Sequence, residues 1–165
     1  MNVPIVKLQP DQKIKLSAIT SLGIEKESSI FSPVSIFAFR EKSKNDFDMI
    51  VESRGQINEK RILEVIYHNI IDQLDKFYEL VPDTKDLQGT MSLENADHTL
   101  GNIIADGLQN HSSVEQGGYN MPHPLGDNIL FHYKLKSGNI RNICKDIITY
   151  YKQVFTNLNQ EIAKL

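Results

Sequence analysis

The chain has 165 residues, 40% of them hydrophobic and 24% charged, which is long enough to bury a real core in one domain or two small ones. Eighteen basic against 21 acidic side chains leave a formal charge of −3, and neither half departs from that balance: residues 1–81 carry 11 and 12, residues 82–165 carry 7 and 9. The balance speaks against a protein that works by neutralising phosphates, so little or no direct DNA contact is expected. The absence of a signal peptide or an apolar run of spanning length predicts a soluble intracellular protein without membrane contact.

In chain order, Val3–Leu8 and Gln12–Ala18 read as two short strands around a turn at Pro10-Asp11. Lys13, Lys15 and Ser17 alternate with Ile14, Leu16 and Ala18, the period of a half-buried strand, and Lys7, Lys13 and Lys15 read as a solvated sheet face. Gly23–Pro33 has no clean period and reads as a loop. Val34–Arg40 and Phe47–Glu52 are rich in β-branched and aromatic residues and read as two more strands. Gly55 then breaks the pattern, and Asn58 is placed to cap a helix running to about Val81. Leu63, Ile66, Ile70, Leu74, Phe77 and Val81 form its apolar stripe. Residues 82–88 are polar and read as a linker.

The second half repeats the theme. Thr90–Glu94 is a strand, Asp97 caps a helix to about Asn110, and Val114–Asn120 and Asn128–Lys136 are strands. Gly138-Asn139 breaks the chain before a last helix, Asn139–Leu165. Its stripe is Ile140, Ile143, Ile147, Tyr151, Val154, Leu158, Ile162 and Leu165. The fold class is α+β, with antiparallel sheets packed against long amphipathic helices. A buried Ile, Leu, Phe or Val contributes roughly 1.5–3 kcal/mol. Stripes of this length must therefore lie on the chain's own sheets, on each other, or on a partner. Periodicity alone fits an ordinary core in one compact fold best.

Several chemical leads lack a necessary part. Asn45-Asp46-Phe47-Asp48 resembles the start of a magnesium-binding aspartate cluster, but Met49 and Ile50 follow, and the third carboxylate is missing. Asp46 and Asp48 read instead as a solvated strand edge. His68, His98, His111, His123 and His132 show no metal-ligand spacing, and Cys144, the single cysteine, excludes an intrachain disulfide or a cysteine-based zinc site and reads as a buried structural thiol. Gly117-Gly118 reads as a turn or bulge, since no lysine-serine pair or helix start follows it. No catalytic residue, cofactor or metal is assigned, and no self-contained active site is expected.

The informative stretches are Asp97-His98-Thr99-Leu100-Gly101-Asn102, then Gly118-Tyr119 and Pro122-His123-Pro124, followed by the long final helix. In this order they resemble the dimerisation domain of the small alpha-like subunit (archaeal L type) of multisubunit RNA polymerases. Physically, Asp97 can cap its helix and complement the dipole, Leu100 points to the core, and Gly101 allows close approach of a neighbour. His98 and Asn102, four apart on one face, can supply polar contacts across an interface. Pro122 and Pro124 stiffen the corner around His123, which a backbone bond is expected to hold.

The first half is similar to the larger alpha-like subunit (archaeal D type). Lys7-Leu8, Gln12–Ala18, Gly23-Ile24, Ser32-Pro33-Val34 and Met49–Ser53 running through Gly55 into a long helix carry that likeness. Two features depart from the D-type pattern. Its initial strand and short helix, with an Asn-x-Leu-Arg-Arg-like signature, do not precede Val3, and Glu25-Lys26-Glu27-Ser28-Ser29 replaces its basic-acidic-His stretch. Either this chain is the C-terminal part of a longer protein, or another polypeptide supplies those elements.

The resemblance implies a D-type segment at 1–81, a linker at 82–88 and an L-type dimerisation domain at 89–165. It implies a noncatalytic assembly subunit of a DNA-directed RNA polymerase, of a kind encoded by large DNA viruses. The expected partners are the large catalytic subunits and other small polymerase subunits, in the host cytoplasm or virion if viral, and otherwise in the nucleus. The assembly interface is expected at Asp97–Asn102, Tyr119, Pro122, His123, Pro124, Ile147, Tyr151, Val154 and Leu158. The alternatives are a free-standing homodimeric interaction domain and a small-molecule enzyme.

Overall fold

The computed structural model describes residues 5–123, 126 and 128–164; the expectations at Val3, Pro124 and Leu165 fall outside these residues. Its contacts divide the chain into two compact units, one up to Ile62 and one from Leu63.

The first unit is built around a β-hairpin. Strand β1 (Val34–Ser43) pairs antiparallel with β2 (Asp46–Ser53), Phe37 facing Val51 and Phe39 facing Met49. Alternation puts Phe37, Phe39, Phe47 and Met49 on one face, where all four are exposed. On the other face Asp48 lies opposite Arg40, its carboxylate 3.3 Å from Arg40 and 2.7 Å from Lys42. Asp48 is thus an ion-paired surface carboxylate. A short 3-10 turn, Ser29–Phe31, is tied to the hairpin end by Arg54, whose N–H donates to Pro33 O and whose guanidinium donates to Ser29 O.

Gln12–Ala18 and the described part of Val3–Leu8 do not form the expected strands. The Pro10-Asp11 turn is present, closed by Gln12 N–H to Gln9 O at 3.1 Å, but the flanking segments find no ladder partner among the described residues. Alternation marks a surface suited to a sheet; a strand also needs a neighbour's N–H and C=O groups. Lys7, Lys13 and Lys15 are exposed, but on an unpaired chain rather than a sheet face.

Helix α1 (Glu59–Leu80) starts where expected: Asn58 Oδ1 accepts from Arg61 N–H at 2.8 Å. Gly55 precedes it at φ 92°, a left-handed conformation that suits glycine. Within the second unit, β3 (Gln88–Leu93), β5 (Ile129–Leu135) and β4 (Val114–Asn120) form an antiparallel sheet in the order β3-β5-β4. Met91, Leu93, Ile129, Phe131, Tyr133 and Leu135 point to one face and are buried. On the opposite face His132 bridges the strands: its Nε2 donates to Asn120 Oδ1 at 2.6 Å and its Nδ1 lies 3.1 Å from Thr90 Oγ1.

The buried face is covered by α2 (His98–Asn110), by α3 (Ile140–Lys164) and by the C-terminal half of α1, whose Phe77 meets Phe131 edge-on at 5.1 Å. Helices α1 and α3 run antiparallel. Tyr78 near the end of α1 sits under the Arg141 guanidinium at 4.9 Å, Asp75 binds Lys152 at 2.6 Å, and Tyr67 meets Phe155 at 6.0 Å. Residues 82–87 are coil but fastened down: Asp83 accepts from Asn139 Nδ2 at 2.7 Å, and Leu87 O accepts from Leu135 N–H. Gly117 and Gly118 lie inside β4 and form no turn; the register irregularity comes earlier, between Val114 and Gln116.

Candidate assembly interface

The Asp97 motif builds its own helix start. Asp97 is extended, and its Oδ1 accepts from Thr99 N–H at 3.0 Å and Leu100 N–H at 3.1 Å, satisfying two otherwise free donors. Leu100 is buried at 3% exposure, while Thr99 and Asn102 are exposed on the outer side of the helix. A Cβ on Gly101 would fall 2.6 Å from the Tyr119 ring, so this position must be glycine for the ring of β4 to lie against α2. Tyr119 in turn meets Phe131 at 6.2 Å, and its hydroxyl lies 3.1 Å from His98 Nδ1. His98 is therefore engaged within the chain, whereas Asn102 is exposed.

Pro122 and His123 follow β4 as an exposed bend, and His123 O accepts from Gly126 N–H at 2.9 Å. Along α3 the stripe divides. Ile140, Ile143 and Ile147 are buried in this chain's own core, with Cys144 and Ile148 beside them. The Cys144 thiol is pushed up to about 12 by burial. Tyr151 and Val154 are half-buried, and Leu158 is exposed at 43%. Tyr151 donates its hydroxyl to Asp106 of α2, and burial first, then that carboxylate, raises its pKa above the ordinary tyrosine value. Ile147 thus works inside the fold, whereas Leu158 is presented outward.

Two glycines whose packing role does not show in the sequence bring the elements close. A Cβ on Gly107 would meet Ile147 Cγ2 at 2.3 Å, and one on Gly117 would meet Leu108 Cβ at 2.5 Å. A glycine inside a helix and another inside a strand were the available signals. Arg141, which donates to Val81 O as well as covering Tyr78, carried no signal beyond its place in the first turn of α3.

Among the described residues no group of three or more His, Cys, Asp or Glu side chains could hold a metal, and no helix is long and apolar enough to cross a membrane. The arrangement is a dimerisation-type α+β fold: one antiparallel sheet, a short capped helix held close by glycines, and two long antiparallel helices. Residues 88–161 match the RNA polymerase Rpb3/Rpb11 dimerisation domain. A DNA-directed RNA polymerase subunit of Acanthamoeba polyphaga mimivirus is 30% identical over 167 residues, covering 95% of this chain and 46% of the viral protein. The Caenorhabditis elegans RPAC2 subunit of RNA polymerases I and III is 32% identical over 105 residues, 62% of this chain and 70% of that subunit. Schizosaccharomyces pombe RPB11, of RNA polymerase II, is 31% identical over 76 residues, 43% of this chain and 62% of its own length. The chain belongs to the Rpb3/Rpb11 dimerisation-domain family of RNA polymerase subunits, and it spans about half the length of the mimivirus relative.

Proposed function

We propose that this chain is a noncatalytic assembly subunit of a DNA-directed RNA polymerase, combining a D-type segment (1–81) and an L-type domain (89–165) in one polypeptide. The observation that carries the reading is the antiparallel packing of α1 on α3. The helix of the D-type segment covers the L-type sheet through Phe77 and Phe131 and is clamped to α3 by Asp75 and Lys152. On this reading the contact of an alpha-like dimer lies within a single chain. The large catalytic subunits, and other small polymerase subunits, dock on the surfaces this leaves open. Those surfaces are the outer side of the Asp97–Asn102 turn, the Pro122-His123 bend and the distal α3 stripe at Val154 and Leu158. The family resemblance supplies a further partner: a separate polypeptide, or a further part of the same one, carrying the D-type initial strand and helix. The exposed phenyl face of the hairpin supports that partner, since a two-stranded sheet with four exposed large apolar side chains is marginal alone. The likeness to the mimivirus subunit supports an origin in a large DNA virus.

Reconstitution tests this reading. The two large subunits should co-sediment as one complex only when this chain is added, and the chain should add no nucleotidyl transfer by itself. Assembly of the large subunits at equal yield without it would overturn the proposal.

A further inference from the structure

Between the C-terminal half of α2 and the N-terminal half of α3 lies a notch of about 340 Å³, floored by Gly107 and Ile147. Two tyrosine rings flank it, Tyr150 and Tyr151, with centroids 5.2 Å apart and planes inclined at 74°. Two carboxylates enter it, one from each helix. Asp106 is held in place by neutral donors: the Tyr151 hydroxyl, and Asn110 Nδ2 at 3.0 Å from its Oδ1. These bonds orient the carboxylate without cancelling its charge. Asp146 is 73% exposed, and its nearest charged-capable neighbour is His111 Nε2 at 3.9 Å. The other imidazole nitrogen, Nδ1, accepts from Ser113 N–H at 3.2 Å, which leaves the ring proton on Nε2, facing Asp146.

Among the described residues neither aspartate forms an ion pair with a lysine or arginine, although nearby acids do: Asp75 binds Lys152 and Glu115 binds Lys134. The surrounding unit also carries 13 acidic against 8 basic side chains over residues 63–165, so its field favours a cation.

We propose that this notch receives an arginine side chain from a partner polypeptide. A guanidinium is flat, stacks on an aromatic face and carries its donors in a fork that two carboxylates can share, whereas an ammonium offers a compact, strongly hydrated point charge. The exposed ring of Tyr150 supplies the face, and Asp106 and Asp146 supply the acceptors. The pocket would do this whatever assembly the chain enters, so its test needs no polymerase.

Titration of the full chain with N-acetyl-arginine amide, followed through backbone amide resonances, tests it. Saturable shifts at Gly107, Asn110, Asp146 and Tyr150 are expected, and N-acetyl-citrulline amide, uncharged but of the same shape, should leave them in place. Asp146→Asn, on an exposed side chain, should weaken binding about two- to fivefold without disturbing the fold. Asp106→Asn combined with Asp146→Asn should remove saturation, while Glu161→Gln, in the exposed pair with Lys164 at the far end of α3, should leave binding unchanged. An equal response to citrulline, a response unchanged in the double variant, or the absence of saturation would each overturn the proposal. Equally tight binding of N-acetyl-lysine amide would overturn the assignment to arginine.

Discussion

Gly117→Ala should loosen the packing of α2 on the sheet, while the same change one residue later should do nothing. A Cβ at position 117 would stand 2.5 Å from Leu108 Cβ and 3.4 Å from the Leu108 carbonyl carbon. Carbon atoms pack best near 3.5–4.0 Å, so a gap of about 1 Å must open. Leu108 is fully buried, and its Cβ is fixed to the helix backbone, so no rotamer change provides that space. The helix itself must lift, which also strains the bond from Gln109 Nε2 to Gly117 O, now 3.0 Å. Overpacking of this kind costs about 1–3 kcal/mol, which for a chain of this size lowers Tm by roughly 2–12 °C. At Gly118 an added Cβ meets nothing within 4 Å. Gly118→Ala is therefore the control, expected to stay within about 0.5 kcal/mol of the parent. Thermal unfolding followed by circular dichroism reads both. Equal destabilisation by the two variants, or none by Gly117→Ala, would refute the close-approach argument.

Further outcomes are expected at four positions. Phe131→Ala removes a fully buried ring that contacts Phe77 and Tyr119 and should cost about 3–5 kcal/mol in urea unfolding. Asp97→Ala strips the cap from α2 and should cost about 1 kcal/mol, with Asp97→Asn or Asp97→Ser recovering most of it. Cys144, 1% exposed, should resist iodoacetamide at pH 8 in the folded chain and react after unfolding. Its raised pKa means the unfolded chain loses the thiol proton first, so this group's contribution to stability is intact below pH 9.0 and is lost as pH rises from there to about 12. Finally, Leu158→Glu should leave Tm within about 2 °C, because the side chain is exposed in the isolated chain, yet reduce recovery of the large subunits in a tagged purification.

Much of this architecture was legible in the sequence where the determinant is local. Asn58 and Asp97 are side chains that satisfy backbone donors a few residues away, so the sequence shows both cap and helix; Asn139, read only as a break, also caps its helix, its Oδ1 accepting from Arg141 N–H at 2.8 Å. The hairpin strands were marked by their β-branched and aromatic residues. Gln12–Ala18 was misread because its period describes what the segment suits, while pairing depends on a neighbour that the described chain does not bring to it. The α3 stripe reads as one surface, yet its full burial ends at Ile148. Period cannot say how far along a helix the rest of the fold reaches. Of the candidate interface, the turn at Asp97–Asn102 and its glycine were visible, but the neighbour that fills the space at Gly101 is Tyr119, a tertiary fact. The same limit concealed Gly107 and Gly117, whose importance lies in Ile147 and Leu108 across the packing.

The most direct measurement of the central claim is the composition of the complex that a tagged copy of this chain draws from its native source at moderate salt, read by quantitative mass spectrometry. We expect two very large polymerase subunits at one copy each per chain. Recovery of the chain alone, as a stable monodisperse species, would contradict the assembly role and favour an independent homodimeric domain.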